Sequence, residues 1–399
     1  MTTLRTAAAA LMAAILVAGC GSASSSSGGA ASARPAPSAS LLASGAPIAS
    51  SATITPAPTL SLSVQTIPQA WTTPILDATT DGNEIIWSKG GETAGGAPDL
   101  YSYVPGASSP VLIYRGPDRA SQLMPIRVSH GKYAFEESFL NADGTGAWRL
   151  WLIPSADANA KLIDSSAADP HGMPTPVVWI ALTGDRLVWN SLHQTPTGPH
   201  FYLRDYELNG GITRTLLDVA ASQSEIWYPY ADDQGRLVYS TVEYSANGST
   251  SYHVYFAQLG GGAFQPRQLD IDGNSTEPVL SGDTVVWKNV TGTSVSNDGS
   301  LVRYSLATGT SSQMLMPGLT GLNDETAGNR FVAGWADHTL FELYDLRTDS
   351  TVVVEKHDPT APEGVVHPFA AGDLVVFVRI LDPSNTNLQL CWLRLPTAS

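Results

Sequence analysis

The stretch Gly184-Asp185-Arg186-Leu187-Val188-Trp189 decides the fold, because its pattern of a turn, two apolar residues and usually an aromatic residue returns throughout the chain. The seven copies begin at Gly82, His130, Gly184, Gln234, Gly282, Gly328 and Gly372. Their sixth residues lie at positions 87, 135, 189, 239, 287, 333 and 377, so neighbouring copies are 44 to 54 residues apart. Repeats of this length are typical of β-propeller blades.

Each repeat has the same internal order. A short run that opens on proline, such as Pro176-Val177-Val178-Trp179, precedes the phrase, and an alternating run such as 340–346 follows it. A small-residue turn and a final β-branched run such as Thr351-Val352-Val353-Val354 complete the repeat. Period-two alternation between turns predicts four antiparallel strands per repeat. The sequence therefore predicts an all-β fold: one propeller over residues 59–399 with seven four-stranded blades, six or eight being the alternative counts.

The two ends of the repeat region provide a separate indication. The seventh repeat supplies three strands and no fourth before residue 399. Leu60-Ser61-Leu62-Ser63-Val64-Gln65-Thr66 precedes the first blade and alternates strictly. We expect this N-terminal strand to complete the last blade and close the ring, because closure removes an unpaired sheet edge.

The repeated phrase, read with the segments Tyr304 to Gly309 and Tyr344 to Thr348, resembles TolB-like propeller repeats of bacterial envelope proteins. The resemblance covers residues 73 to 399 and implies a blade architecture without a shared activity. It implies a scaffold for protein contacts, as in most members of that group. The peptidases that carry such propellers are not favoured, because the sequence has no Gly-x-Ser-x-Gly nucleophile elbow.

The N-terminus carries a targeting signal. Arg5 precedes the apolar run Ala7 to Ala18, which is too short to span a bilayer and typical of a signal-peptide core. The following Gly19-Cys20 completes a pattern that resembles the bacterial lipoprotein box. This resemblance implies a signal peptide over residues 1–19 and lipidation of Cys20. The alternative is an ordinary signal peptide cut near Ala18 or Gly19, with Cys20 incidental.

Residues 20–58 form the predicted lipidated cysteine and flexible tether. The segment is rich in Ser, Ala, Gly and Pro, and Arg34 is its only charged residue. Such a composition buries too little apolar surface to offset the entropy of ordering. The tether is expected to hold the propeller away from the membrane to which Cys20 is attached.

The charge balance restricts the partners. The chain has 36 acidic and 21 basic residues and a net charge of -15. Arg5 and Arg34 are the only charged residues before Asp77, so the folded part carries 19 minus 36, or -17. A chain this acidic has no electrostatic footprint for the phosphate backbone, which excludes nucleic acid as a partner. We expect a monomer.

One aromatic and acidic cluster, residues 225–233, enters an innermost strand, where the connecting loops of propellers usually form a binding face. Aromatic faces beside carboxylates suit glycans, peptides or cationic groups. The alternative is ordinary packing of these rings between blades. The predicted binding face consists of Glu225, Trp227, Tyr228 and Tyr230, with Glu277, Asp324, Glu325 and His367 at comparable points of later repeats.

No cofactor is predicted. Calcium is considered only near Asp270, Asp272 and Asn274, whose oxygen atoms suit Ca²⁺. The segment departs from the EF-hand pattern because its Gly273 comes at the fourth position, and a solvated acidic turn is the alternative. Cys391 lies in an alternating run and is expected to be a small buried hydrophobe.

These observations favour a non-enzymatic lipoprotein, exposed on the extracytoplasmic side of the cell membrane, that binds an envelope protein or glycan. The alternative function is a propeller glycosidase or lyase acting on surface polysaccharide. Such an enzyme needs a placed carboxylate pair, for which Glu225, Glu277 and Glu325 are the candidates. No catalytic constellation is recognised in the sequence.

Overall fold

The computed structural model describes residues 49–53, 62–67, 75–90, 97–117, 121–141, 146–166, 179–260, 262–289, 300–315, 326–327, 330–336, 339–348, 350–358, 364–381 and 388–396. Within these ranges no helix has the length and hydropathy needed to cross a bilayer. The predicted signal peptide, Cys20 and most of the predicted tether lie outside the described residues.

Twenty-nine strands are described. The first two are β1 (Ala49–Thr53) and β2 (Gln65–Thr66). Blade 1 contains β3 (Ile75–Thr80), β4 (Ile85–Lys89), β5 (Asp99–Tyr103) and β6 (Val111–Arg115). Blade 2 contains β7 (Ser121–Ser129), β8 (Lys132–Leu140), β9 (Gly146–Ile153) and β10 (Lys161–Ser165). Blade 3 contains β11 (Ile180–Leu182), β12 (Arg186–Thr195), β13 (Gly198–Glu207) and β14 (Ile212–Ala220).

The remaining blades repeat this order. Blade 4 contains β15 (Ser224–Ala231), β16 (Arg236–Tyr244), β17 (Thr250–Gln258) and β18 (Arg267–Gln268). Blade 5 contains β19 (Ser275–Ser281), β20 (Thr284–Asn289), β21 (Ser300–Ser305) and β22 (Ser311–Leu315). Blade 6 contains β23 (Thr326–Ala327), β24 (Phe331–Ala336), β25 (Leu340–Asp345) and β26 (Ser350–Lys356). Blade 7 contains β27 (Gly364–Ala371), β28 (Leu374–Ile380) and β29 (Leu388–Arg394).

The seven sheets form a closed ring. The first strand of each blade is innermost and contacts the first strand of the next blade, and β27 of blade 7 contacts β3 of blade 1. The predicted all-β propeller with seven four-stranded blades is therefore confirmed.

The ring is closed by the N-terminal strand, as predicted. Strand β2 pairs antiparallel with β29, with Gln65 opposite Trp392 and Thr66 opposite Cys391. The Ile67 N–H then donates to the Leu390 carbonyl oxygen at 3.1 Å. The paired segment is shorter than the predicted run of alternating residues.

Strand β1 was not predicted. It pairs in parallel with β22, the outermost strand of blade 5, and makes that sheet five-stranded. These residues fall inside the range that the sequence assigns to the tether.

Apolar residues fill each of the seven interfaces between described blades with a separate hydrophobic cluster. The large aromatic residues at the sixth position of the repeated phrase are at most 2% exposed and lie in these clusters. They are Trp87, Phe135, Trp189, Tyr239, Trp287 and Phe377. The repeated phrase is therefore an inter-blade packing motif, because its aromatic residue fills the interface with the preceding blade.

The phrase of blade 6 is one residue out of phase. In blades 3 and 5 the residue opposite the buried tyrosine of the third strand is the fourth of the phrase, as Val285 is opposite Tyr304. In blade 6 the residue opposite Tyr344 is Val332, the fifth of the predicted copy. Gly334 therefore takes the place that the inter-blade aromatic residue has in the other blades. Ala333, the sixth residue of the predicted copy, packs against blade 7 instead.

The blades have two different ends. At one end, here called the loop end, the innermost strands begin and the second and third strands are joined. At the other, the turn end, tight turns such as Gly282-Asp283 join the first and second strands. Proline bulges separate the two ends in several innermost strands, where two residues oppose one on the second strand, as at Tyr228-Pro229 and Glu277-Pro278.

Candidate functional site

The most distinctive group at the loop end is an aromatic cluster made by Trp179, Trp227 and Tyr228. Trp227 is opposite Ser240 in the sheet of blade 4, on the loop-end side of the bulge. The Tyr228 ring centroid lies 4.3 Å from that of Trp179, which precedes β11 of blade 3, and 5.8 Å from that of Trp227. All three side chains are half-buried, so the cluster spans two blades and keeps part of its aromatic surface accessible.

Glu225 fixes the orientation of the cluster. The Trp227 Nε1–H donates to Glu225 Oε2 at 2.8 Å, and the exposed Tyr244 hydroxyl donates to Glu225 Oε1 at 2.5 Å. Partial desolvation of the hydroxyl and its bond to Glu225 together raise the pKa of Tyr244, so the hydroxyl remains a donor. The carboxyl group of Glu225 is thereby placed at the edge of the aromatic cluster.

The backbone holds Tyr228 in a rare conformation. Its φ is 51°, in the left-handed region that costs a residue with a side chain about 1–2 kcal/mol. The next residue is Pro229, which has no N–H for the ladder and normally pushes the residue before it toward extended backbone. Strain of this kind persists only where surrounding packing imposes it, and it is frequent at binding sites.

Glu277 occupies the equivalent bulge of blade 5, with a φ of 54°. Its side chain is turned inward: the residue is 7% exposed, and its Oε1 lies 3.8 Å from the buried Lys288 Nζ. Glu277 therefore forms a buried ion pair, apart from the accessible aromatic surface.

Tyr230 is half-buried, but its ring faces the interior of the blade packing. It packs against the hydrophobic clusters on both sides of blade 5. Burial raises the pKa of its hydroxyl to about 12. Of the remaining predicted site residues, Asp324 and Glu325 lie outside the described residues, and only the backbone of His367 is described, in β27.

Arg127 is a central residue that the sequence analysis did not identify. It lies on the innermost strand β7 of blade 2, and its guanidinium carbon is 5.2 Å from the centroid of the Phe369 ring in blade 7. Its charge also acts on Tyr230 in blade 4. A cation of blade 2 and an aromatic ring of blade 7 therefore meet across the ring. The one signal of this position in the sequence is that Arg127 lies in an innermost strand, two residues after Pro125.

Ser191, His193 and Asp164 are close together between blades 2 and 3 but do not have the geometry of a catalytic triad. His193 Nε2 lies 3.1 Å from Ser191 Oγ and 3.4 Å from Asp164 Oδ2, so both groups contact the same ring nitrogen. In a triad they contact opposite nitrogens. Burial alone would raise the pKa of Asp164, but the His193 hydrogen bond and the Arg204 charge lower it, as expected of a structural ion pair.

The aspartates considered for calcium are engaged with strand β17 and with their own turn. Asp270 Oδ1 accepts the Val254 N–H at 2.7 Å, and Asp270 Oδ2 lies 3.0 Å from His253 Nδ1. Asp272 Oδ1 accepts the Asn274 N–H at 3.3 Å. No group of three or more metal-ligating side chains occurs in the described ranges.

The sequence was compared with family models and with curated proteins. No family model matches the chain. No curated protein matches it either.

Structural comparison finds propellers with different roles. The β-propeller domain of the Trilobed protease from Pyrococcus furiosus aligns with a TM-score of 0.58 and 9% identity, over 81% of this chain and 95% of that one. An oligogalacturonate lyase in complex with manganese aligns with a TM-score of 0.52 and 11% identity, over 85% and 97%. YCF48 bound to a D1 peptide aligns with a TM-score of 0.51 and 11% identity, over 86% and 100%. At these identities the similarity shows the fold alone.

Proposed function

We propose that this chain is a non-enzymatic binding propeller of the cell envelope that captures a protein or glycan partner with the aromatic cluster of blades 3 and 4. The observation that carries the proposal is the strained Tyr228, held between Trp179 and Trp227 beside the Glu225 carboxyl group. Rigid aromatic side chains supply large contact area with little loss of side-chain entropy, and they dominate binding energies at interfaces. The peptide bound to YCF48 provides an analogy for such a role in a propeller.

The same proposal includes the location of the protein. The lipoprotein box and the TolB-like repeats support a chain lipidated at Cys20 and exposed on the extracytoplasmic side of the membrane. Acyl chains contribute about 0.8 kcal/mol per buried methylene group, so a multiply acylated cysteine would retain the protein on a membrane surface.

An affinity capture experiment with the full mature chain in detergent tests the binding role. The wild type is expected to retain a defined protein or glycan from envelope extracts. Trp227→Ala should weaken its binding at least tenfold, since losing a central aromatic contact costs about 1.4 kcal/mol or more. Glu225→Gln is the second variant, because it keeps the size of the side chain but removes one of its two acceptors.

Tyr114→Ala serves as the matched control, because Tyr114 is also half-buried but lies on the outermost strand of blade 1. Circular dichroism verifies that each variant folds. Equal retention by folded wild type, Trp227→Ala and Glu225→Gln would contradict the proposed site. Release of new sugar ends from a captured polysaccharide would instead indicate the glycosidase or lyase.

A further inference from the structure

A second site candidate lies at the turn end, opposite to the aromatic cluster along the strands of blade 4. It is a shallow cleft of about 270 Å³ between blades 4 and 5 that is open to solvent. The lining residues are Arg236, Phe256, Arg267, Asp283, Leu306 and Ala307. The cleft thus combines two guanidinium groups with an apolar wall, in a protein whose net charge is -15.

Arg267 differs from most arginines of this chain in having no carboxylate within 4 Å in the described ranges. Its guanidinium carbon lies 5.9 Å from the ring centroids of both Phe256 and Tyr304. Many other described arginines form ion pairs with carboxylates: Arg115, Arg149, Arg186, Arg204, Arg214, Arg236, Arg330, Arg379 and Arg394. A guanidinium that lies over aromatic rings without a carboxylate partner keeps its N–H donors available for a planar acceptor.

Arg236 already binds a carboxylate in this cleft. Its Nη2 lies 2.6 Å from Asp232 Oδ2 on its own blade, and its Nη1 lies 2.7 Å from Asp283 Oδ1 on blade 5. The Asp283 side chain is 76% exposed and belongs to a two-residue turn. Because Asp283 is largely exposed and Asp232 keeps the buried Arg236 paired, a competing carboxylate can take the place of Asp283 without leaving Arg236 without a partner.

We propose that this cleft binds the carboxylate of a small organic acid. The ligand carboxylate is bound by the Arg267 guanidinium and by Arg236 Nη1, from which it displaces Asp283. Bidentate pairing with guanidinium is the strong and geometrically selective form of this interaction. The body of the ligand packs against Phe256, Leu306 and Ala307. Carboxylate binding in this cleft does not depend on the aromatic cluster proposed as the partner site, which lies at the other end of the strands.

Ligand-observed nuclear magnetic resonance titrations with the full mature chain in detergent test this proposal. Two pairs of probes each compare an acid with a neutral counterpart that lacks the carboxylate: D-glucuronate against D-glucose, and N-acetylglycine against N-acetylglycinamide. We expect binding by at least one acid and none by its neutral counterpart. The acid that binds more tightly shows whether the carboxylate comes from a sugar or from an amino acid.

Three variants locate the binding in the cleft. Arg267→Gln should weaken it at least about fivefold, because it removes a charged fork. Asp283→Asn should strengthen it, because it removes the competing carboxylate, and a merely structural role for Asp283 does not predict a gain. Arg115→Gln is the control, since Arg115 is an exposed arginine on blade 1, and Trp227→Ala should also leave acid binding unchanged.

Three results would overturn the proposal. They are equal binding of an acid and its neutral counterpart, no binding of either acid up to about 50 mM, and acid binding that Arg267→Gln leaves intact.

Discussion

Glu342 on β25 has a buried carboxyl group that lowers the stability of the fold when it is ionised. It is 4% exposed, and its Oε2 has no hydrogen-bond partner among the described residues. Burial raises the pKa of the Glu342 carboxyl to about 7, and the charge of Lys356 only partly opposes this. The folded protein therefore binds a proton more tightly than the unfolded chain between pH 4.5 and 7, and stability falls as the pH rises through that interval.

Glu342→Gln should remove this dependence. At about pH 8 the variant is expected to be more stable than the wild type by on the order of 1–3 kcal/mol, whereas near pH 4 the two should be similar. Urea unfolding at a series of pH values measures the difference. Glu355→Gln is the control. Glu355 is paired with Arg379, so neutralising it should make the protein less stable. A Glu342→Gln variant no more stable than the wild type at about pH 8 would contradict the account.

At the scale of single elements, β2 closes the ring although it is only two residues long. Two paired residues close the ring, and the adjacent Ile67 is buried in the hydrophobic cluster between blades 7 and 1. Ile67→Pro removes both the buried side chain and the N–H that binds the Leu390 carbonyl.

We expect Ile67→Pro to lower the melting temperature by about 5 °C or more in calorimetry. Ala52→Pro in β1 is the matched control, because β1 lies on the outer edge of blade 5 and closes nothing. A similar loss in both variants would show that β2 is not specifically required for closure.

The blades were predictable because each one repeats the same alternation and the same turn. Strand β1 was not, since Ala-Ser-Ser-Ala-Thr has no apolar alternation and its pairing depends on the free edge of β22. The phase of blade 6 was misread because Gly334 carries no side chain where other blades place a large aromatic residue.

The candidate site was predictable only in part, and the bulges explain why. Glu225 and Trp227 come together within one strand, as the sequence suggested. Alternation places Tyr228 and Tyr230 on one face, but the proline bulge between them adds a residue and turns Tyr230 toward the hydrophobic clusters on both sides of blade 5. Trp179 was missed because its contact with Tyr228 joins two blades.

For the whole molecule, the proposed anchor is tested through retention on membranes. Cys20→Ala removes the residue whose acylation the proposal requires. The variant should be released into the soluble fraction, whereas the wild type remains with membranes, as judged by fractionation and immunoblotting. Ser24→Ala in the same segment should leave retention unchanged. Membrane retention of Cys20→Ala would refute the anchor.

The position of β1 before β2 in the chain has a mechanical consequence. Tension applied at the N-terminus loads the β1–β22 hydrogen bonds first, and β2 carries force only after β1 has detached. Detachment of β1 adds slack of about 3.3–3.6 Å for each released residue. A small pull therefore only detaches β1 from the outer edge of blade 5, before any force reaches the β2–β29 pairing that closes the ring.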